Sequence, residues 1–210
     1  MPTIIETKVY TFDELSDGAR QKARDWYTEG NDFDHESVYD MAAEAGKKLG
    51  ISLRTKPVKL MNGSTRYDPA IYFSGFSSQG DGACYEGSYR FAYGAPKAVR
   101  EEFPKDVELH RIADALLAVQ RPAFYGLSAT ITTSGRYSHS GTMQVEVEHL
   151  ASRDVSMTQS DEVTQLLRDF ADWIYARLRD EYFYSTSDEV VDETILANGY
   201  TFTEAGRRFG

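Results

Sequence analysis

The spacing of apolar residues changes period repeatedly along the chain, and each change marks an element. Alternating Ile, Val and Tyr over residues 3–10 predicts a short strand. Ser16 stands where an N-cap is expected, and Asp17 to Tyr27 reads as a helix with Leu15, Ala19, Ala23, Trp26 and Tyr27 along one side. Gly30 and the acidic cluster Asn31, Asp32, Asp34 break it. Val38, Met41, Ala42, Ala45 and Leu49 recur at helical spacing, which predicts a second helix over 36–49 stopped by Gly50. Residues 51–60 and 70–76 alternate as strands, with Asn62-Gly63 as a turn signal between them.

The segment 84–93 reads as one strand, with Tyr85, Tyr89, Phe91 and Tyr93 on one face and Glu86, Ser88 and Arg90 on the other. Pro96 opens a short helix ending near Phe103-Pro104. A better one runs from Val107 to about Phe124, with Leu109, Ile112, Ala113, Leu116, Leu117 and Gln120 in its stripe and Pro122 closing or kinking it. Strands follow at 127–133 and 142–150, joined by the hairpin loop 134–141. A long helix is expected over 160–184, carrying Val163, Leu166, Leu167, Phe170, Ile174 and Leu178 inward and Asp161, Arg168, Asp169, Asp172 and Arg179 on its wet side. Residues 188–197 form a shorter helix ending at Asn198-Gly199, and the tail 200–210 one more strand. Strands that return through hairpins predict an α+β fold: an antiparallel β-sheet with several amphipathic helices packed on one face, built as a single domain over residues 1–210.

Charge narrows the function classes. The net charge is −10, from 33 acidic and 23 basic residues. Binding a phosphate backbone or an anionic lipid surface needs clustered Lys and Arg, so neither direct nucleic-acid binding nor a membrane partner is expected. A basic protein partner is permitted. Cys84 is the one cysteine, which excludes an intrachain disulfide and a Cys-rich metal knuckle. The start, MPTIIETKVY, has no basic segment followed by an apolar one, and the longest purely apolar run is Ala115 to Val119. The expected location is therefore a reducing cytoplasm.

Two loops carry the candidate chemistry. The first, Ser77-Ser78-Gln79-Gly80-Asp81-Gly82, lies between strands and has four readings beside a plain wide turn. Its glycines could aim amides at an anion, but no Lys or Arg lies within it and neither phosphate-loop spacing is present. Asp81 alone falls far short of a calcium ligand set. Cys84 as a nucleophile has no histidine near in sequence to activate it. Partner contact through Phe76 and Tyr85 is the fourth. The second loop carries Arg136, Tyr137 and His139 at a hairpin tip. A metal or acid–base cluster of His139 with Glu146 and Glu148 lacks the spacings of zinc enzymes, and a polar tip is the plainer reading. If the two loops share one sheet edge, Gln79, Asp81, Arg136, Tyr137 and His139 form one polar patch. No catalytic residue, metal site or cofactor is assigned. His35, His110 and the acidic run Asp188, Glu189, Asp192, Glu193 read as packing or solvated surface.

The strings Tyr72-Phe73-Ser74-Gly75-Phe76-Ser77-Ser78-Gln79-Gly80-Asp81-Gly82-Ala83 and Glu14-Leu15-Ser16-Asp17 followed by Ala19 to Tyr27, with the hairpin Gly135 to Gly141, resemble a group of phage, prophage and mobile-element proteins. Some of that group are labelled antitoxin-like. The resemblance spans nearly the whole chain and implies a mobile-element origin and a job of neutralising a protein, either a toxin or a host defence component. It transfers no site residue, and the chain lacks the basic DNA-binding module of many antitoxins. The favoured expectation is a non-enzymatic binding protein. An enzyme or small-ligand binder using the two loops, and an acidic DNA mimic, are the alternatives.

Overall fold

The computed structural model describes residues 6–210. The strand expected over 3–10 lies partly outside them; within them β1 is Tyr10–Thr11. A 3-10 turn over Phe12–Glu14 leads to Ser16, the N-cap of α1 (Asp17–Gly30). Then come α2 (Glu36–Leu49), β2 (Ile51–Leu53), β3 (Thr55–Lys59), β4 (Thr65–Pro69), β5 (Ile71–Phe73), β6 (Ala83–Tyr85) and β7 (Gly87–Arg90). The second half contains α3 (Ala95–Glu102), α4 (Val107–Gln120), β8 (Leu127–Thr133), β9 (Met143–His149), α5 (Met157–Ser185), α6 (Asp188–Ala197), β10 (Thr201–Phe202) and β11 (Arg208–Phe209). Every strand pairing among the described residues is antiparallel. The fold is α+β. No helix among these residues is long and apolar enough to cross a membrane.

Tertiary contacts gather the chain into two compact units, one made of the segment up to Asp34 with Asp180–Gly210, the other of His35–Arg179. In the smaller unit the strands run in the order β1-β10-β11. Phe12, Leu15, Ala19, Ala23, Val191, Ile195 and Phe202 form its core. The Trp26 ring meets Tyr200 and Phe202 edge-on at 5.3 and 5.8 Å, the geometry that aromatic quadrupoles prefer. Arg24 ties α1 to α6 with a two-pronged bond to Asp192, both contacts 2.6 Å, and a further contact to Asp188 at 3.0 Å. Such a fork matches the carboxylate plane and is stronger than a single point contact.

The larger unit is built on a four-stranded sheet in the order β2-β7-β8-β9. Its alternation is sharp. Ile51, Tyr89 and Ala129 share one register row and are buried, while Ser52, Ser88, Thr130 and Glu146 share the next and are exposed. Helices cover the apolar face. In α2, Gly46 lets the helix approach Ile51 and the ring of Phe170 on α5; from α4, Gln120 donates to the Tyr89 hydroxyl at 3.1 Å. Gly50 takes φ 86° to end α2, and a Cβ there would collide with the Arg90 carbonyl. The outer face stays polar, with Ser52, Ser88, Thr130, Thr132, Gln144, Glu146 and Glu148 exposed. Among the described residues β9 is paired on one side only.

Two expected strands, 51–60 and 84–93, are each divided in two, and the one expected over 70–76 is preceded by a strand the sequence reading did not give, β4. Arg54 separates β2 from β3, Ala70 separates β4 from β5, and Glu86 separates β6 from β7. The three breaks meet: Arg54 N–H donates to Glu86 O at 2.8 Å, Ala70 N–H to Arg54 O at 2.6 Å, and Glu86 N–H to Ala70 O at 3.0 Å. Three strand pairings, β2–β7, β3–β4 and β5–β6, meet at this one point. From there β5 and β6 carry the glycine-rich loop to the helix-covered side, and the β3–β4 hairpin turns at Asn62-Gly63.

Candidate functional site

The loop after β5 and the tip of the β8–β9 hairpin abut. Ser74 hydroxyl donates to Ser138 O at 3.3 Å and accepts from Gly82 N–H at 3.2 Å. A Cβ on Gly82 would lie 2.7 Å from the Cβ of His139, so only glycine permits this approach. The two segments are in contact at Ser74, Gly82, Ser138 and His139.

Within this junction the polar groups are largely committed to their own loops. One oxygen of the Asp81 carboxylate accepts from the amides of Ser77 and Ser78, at 2.9 and 2.7 Å. These bonds reach back three and four residues and close the loop on itself through Oδ2. His139 Nδ1 accepts from Gly141 N–H at 3.1 Å, and its carbonyl accepts from the Thr142 hydroxyl at 2.7 Å. Gln79, Arg136 and Tyr137 stand exposed at the rim, with Tyr137 at 71 %. Among the described residues no group of three or more His, Cys, Asp or Glu is placed to hold a metal ion.

An aromatic ladder props the first loop. Phe76 stacks between Phe73 and Tyr175 of α5, each pair with centroids 5.7 Å apart and planes at 24°. Tyr175 hydroxyl donates to Gly75 O at 3.1 Å. Burial and the nearby Asp81 charge raise the Tyr175 phenol above its usual range, with Arg179 opposing. His35 continues the cluster, 5.7 Å from the Phe73 ring and 4.4 Å from Tyr39. Burial, then the Asp68 charge, pushes the Tyr39 phenol up to about 12, and its hydroxyl donates to Ile71 O.

Tyr85 departs from its expected role as a partner-contact anchor. It is 0 % exposed, its ring meets Phe170 edge-on, and its hydroxyl donates to Leu167 O at 3.1 Å. Proximity to a glycine-rich loop suggested exposure, but β6 places Tyr85 against Leu167 and Phe170 of α5. Cys84 is buried beside the Ser138 and Thr142 hydroxyls, and burial raises its thiol, the reverse of an activated nucleophile. Phe76 is half-buried in the ladder rather than a free anchor.

Sequence reasoning missed Tyr175 and the part played by Asp172. The Asp172 carboxyl is raised, first by burial, with Asp169 and Glu108 adding to the effect and Ser140 and His139 opposing it. The spacing of α5 placed Asp172 on the wet side, correctly, but nothing in it shows that the hairpin tip comes alongside.

Fold and junction together define an α+β chain in which two loops meet at one edge. The chain belongs to the family described as a domain of unknown function, DUF8835, whose model matches residues 35–188. Comparison with curated proteins gave no match, and comparison with solved structures gave none.

Proposed function

We propose that this chain is a non-enzymatic protein of phage or mobile-element origin that acts in the cytoplasm by binding and neutralising another protein, a toxin or a host defence component. One observation carries the reading: Asp81 and His139, the two groups best suited to catalysis, are bonded to amides of their own loops, while Arg136 and Tyr137 project from the same junction. Arg and Tyr are residue types that dominate interface energetics, and a rigid loop loses little freedom on docking. The net charge of −10 favours a partner with a basic surface. The resemblance of Tyr72 to Ala83 and of the Gly135 to Gly141 hairpin supports the mobile-element origin.

Affinity capture from the organism of origin, read by mass spectrometry, tests this. Wild type should retain a specific protein that the double variant Arg136→Glu, Tyr137→Ala binds about 30-fold more weakly. Recovery of the same proteins by both, or of nothing above background, would sink the reading.

A further inference from the structure

The opposite end of the β8–β9 hairpin, about 20 Å along the strands, carries a second surface of different chemistry. Phe124 and Tyr125 follow α4 with φ of 50° and 60°. Left-handed backbone costs a residue with a side chain about 1–2 kcal/mol, and here two aromatic residues take it in succession. Phe124 is 76 % exposed, Tyr93 98 % and Leu150 60 %. Backbone and ring contacts tie their segments together: the Tyr125 ring packs on Phe91 at 4.7 Å, two residues before Tyr93, and Leu150 N–H donates to Gly126 O at 2.9 Å.

The turn is locked from beneath. Tyr125 N–H donates to Gln120 O at 2.9 Å, and the fully buried Gln120 amide holds the adjoining Leu127 backbone. On the other side His149 Nε2 bonds Ala123 O and Nδ1 accepts from Ala151 N–H, both at 3.0 Å. The His149 ring occupies the space a Gly126 Cβ would need. Strained backbone persists only where its surroundings over-determine it, and it gathers at ligand clamps. Held this way, the Phe124 backbone is fixed before any partner arrives, which removes the backbone part of the ordering cost.

Cations gather at this end of the sheet, while Glu146 and Glu148 share with Arg90 and Leu150 the groove on its outer face. Arg153 lies over the Phe124 ring at 5.3 Å. Arg121 is three residues before Phe124, and Arg90 and Lys47 line with Phe91 a groove of about 490 Å³. None of these four cations forms an ion pair among the described residues, although Glu148 lies one strand beyond Ser128 from Arg90 and Asp154 adjoins Arg153.

We infer that this end of the sheet docks an acidic segment of a protein partner, which lays carboxylates on Arg90, Arg121, Arg153 and Lys47 and an apolar side chain against Phe124 and Tyr93. A few carboxylates act mainly within a Debye length of about 8 Å, so they meet the local cations. A nucleic acid brings a charge with every nucleotide and meets the repulsion of the whole acidic chain. The surface is separate from the two-loop junction and does not depend on its function.

A displayed library of random dodecapeptides, panned on the intact chain, tests the inference. Selected peptides should carry at least two Asp or Glu beside a large apolar residue. Phe124→Ala and the charge reversal Arg121→Glu, Arg153→Glu should each weaken the selected peptide at least tenfold, and Phe124→Tyr should retain it. These side chains are exposed, so circular dichroism should stay as in wild type. The Arg136→Glu, Tyr137→Ala variant should bind the peptide unchanged, which separates this surface from the two-loop reading. Peptides without acidic bias, binding indifferent to Phe124, tighter binding of a twenty-residue oligothymidylate, or self-association that Phe124→Ala abolishes would each overturn it.

Discussion

Gln120 holds both backbone polar groups of Leu127. Its Nε2 donates to Leu127 O at 2.8 Å while its Oε1 accepts from Leu127 N–H at 3.1 Å, and the same Nε2 reaches the Tyr89 hydroxyl. A side-chain amide here takes the place of a neighbouring strand. Gln120→Leu keeps the volume and deletes all three bonds, leaving two buried backbone groups unpaired at about 1–3 kcal/mol each. The expected result is a loss of ~2–4 kcal/mol and a fall in Tm on the order of 10 °C. Urea and thermal melts check this; melting as in wild type would show that the amide supports nothing.

Gly82 is where the two loops touch, so Gly82→Ala forces a methyl group against the His139 backbone and Cβ. Overpacking of this kind costs about 1–3 kcal/mol. The hairpin tip should loosen, and trypsin should cut after Arg136 faster than in wild type. Gly80→Ala is the control: its Cβ would meet open space, though at φ 97° it carries backbone strain of its own. Equal protease resistance of Gly82→Ala and wild type would mean that the loops are not held by this contact.

Asp172 gives a pH signature. Its carboxyl is raised in the fold, mainly by burial, so folding disfavours the ionised form relative to the unfolded chain. Its contribution is fully present below the ordinary carboxylate value of 3.8 and is lost as pH rises through the raised value. Asp172→Asn, which can still accept from Ser140, should therefore melt slightly higher than wild type at pH 7, by about 1 °C once solvent screening is allowed for. The gain should vanish below pH 3.8. A variant less stable at neutral pH, or a gain that persists in acid, would contradict the assignment.

Elements with strong local signals were legible in the chain itself. The α2 helix ends at Gly50, and β8 and β9 follow their alternation almost to the residue; α4, expected to reach about Phe124, ends at Gln120, two residues before Pro122. The divided strands were not, because Arg54 and Glu86 interrupt nothing in the alternation, and β4 before Ala70 was not expected; the three breaks are joined by bonds between residues 16 to 32 positions apart. The Phe124–Tyr125 turn was hidden for a related reason. Gly126 beside it suggests that glycine takes the positive φ, yet the aromatic residues take it, and glycine is required there by the His149 ring. The two loops were singled out by composition and do come together. Tyr175 escaped notice because its role depends on the register of a helix a hundred residues away from Gly75. Tyr85 was misread because adjacency to a turn says nothing about which face a helix covers.

The unpaired side of β9 has a bearing on how these molecules behave when crowded. A bare strand margin is a template for another chain, and repeated joining at such margins builds fibrils. Glu146 and Glu148 stand exposed along this one. Two copies brought margin to margin would set carboxylates beside carboxylates, so the strand that closes the sheet also discourages it from growing into a ribbon.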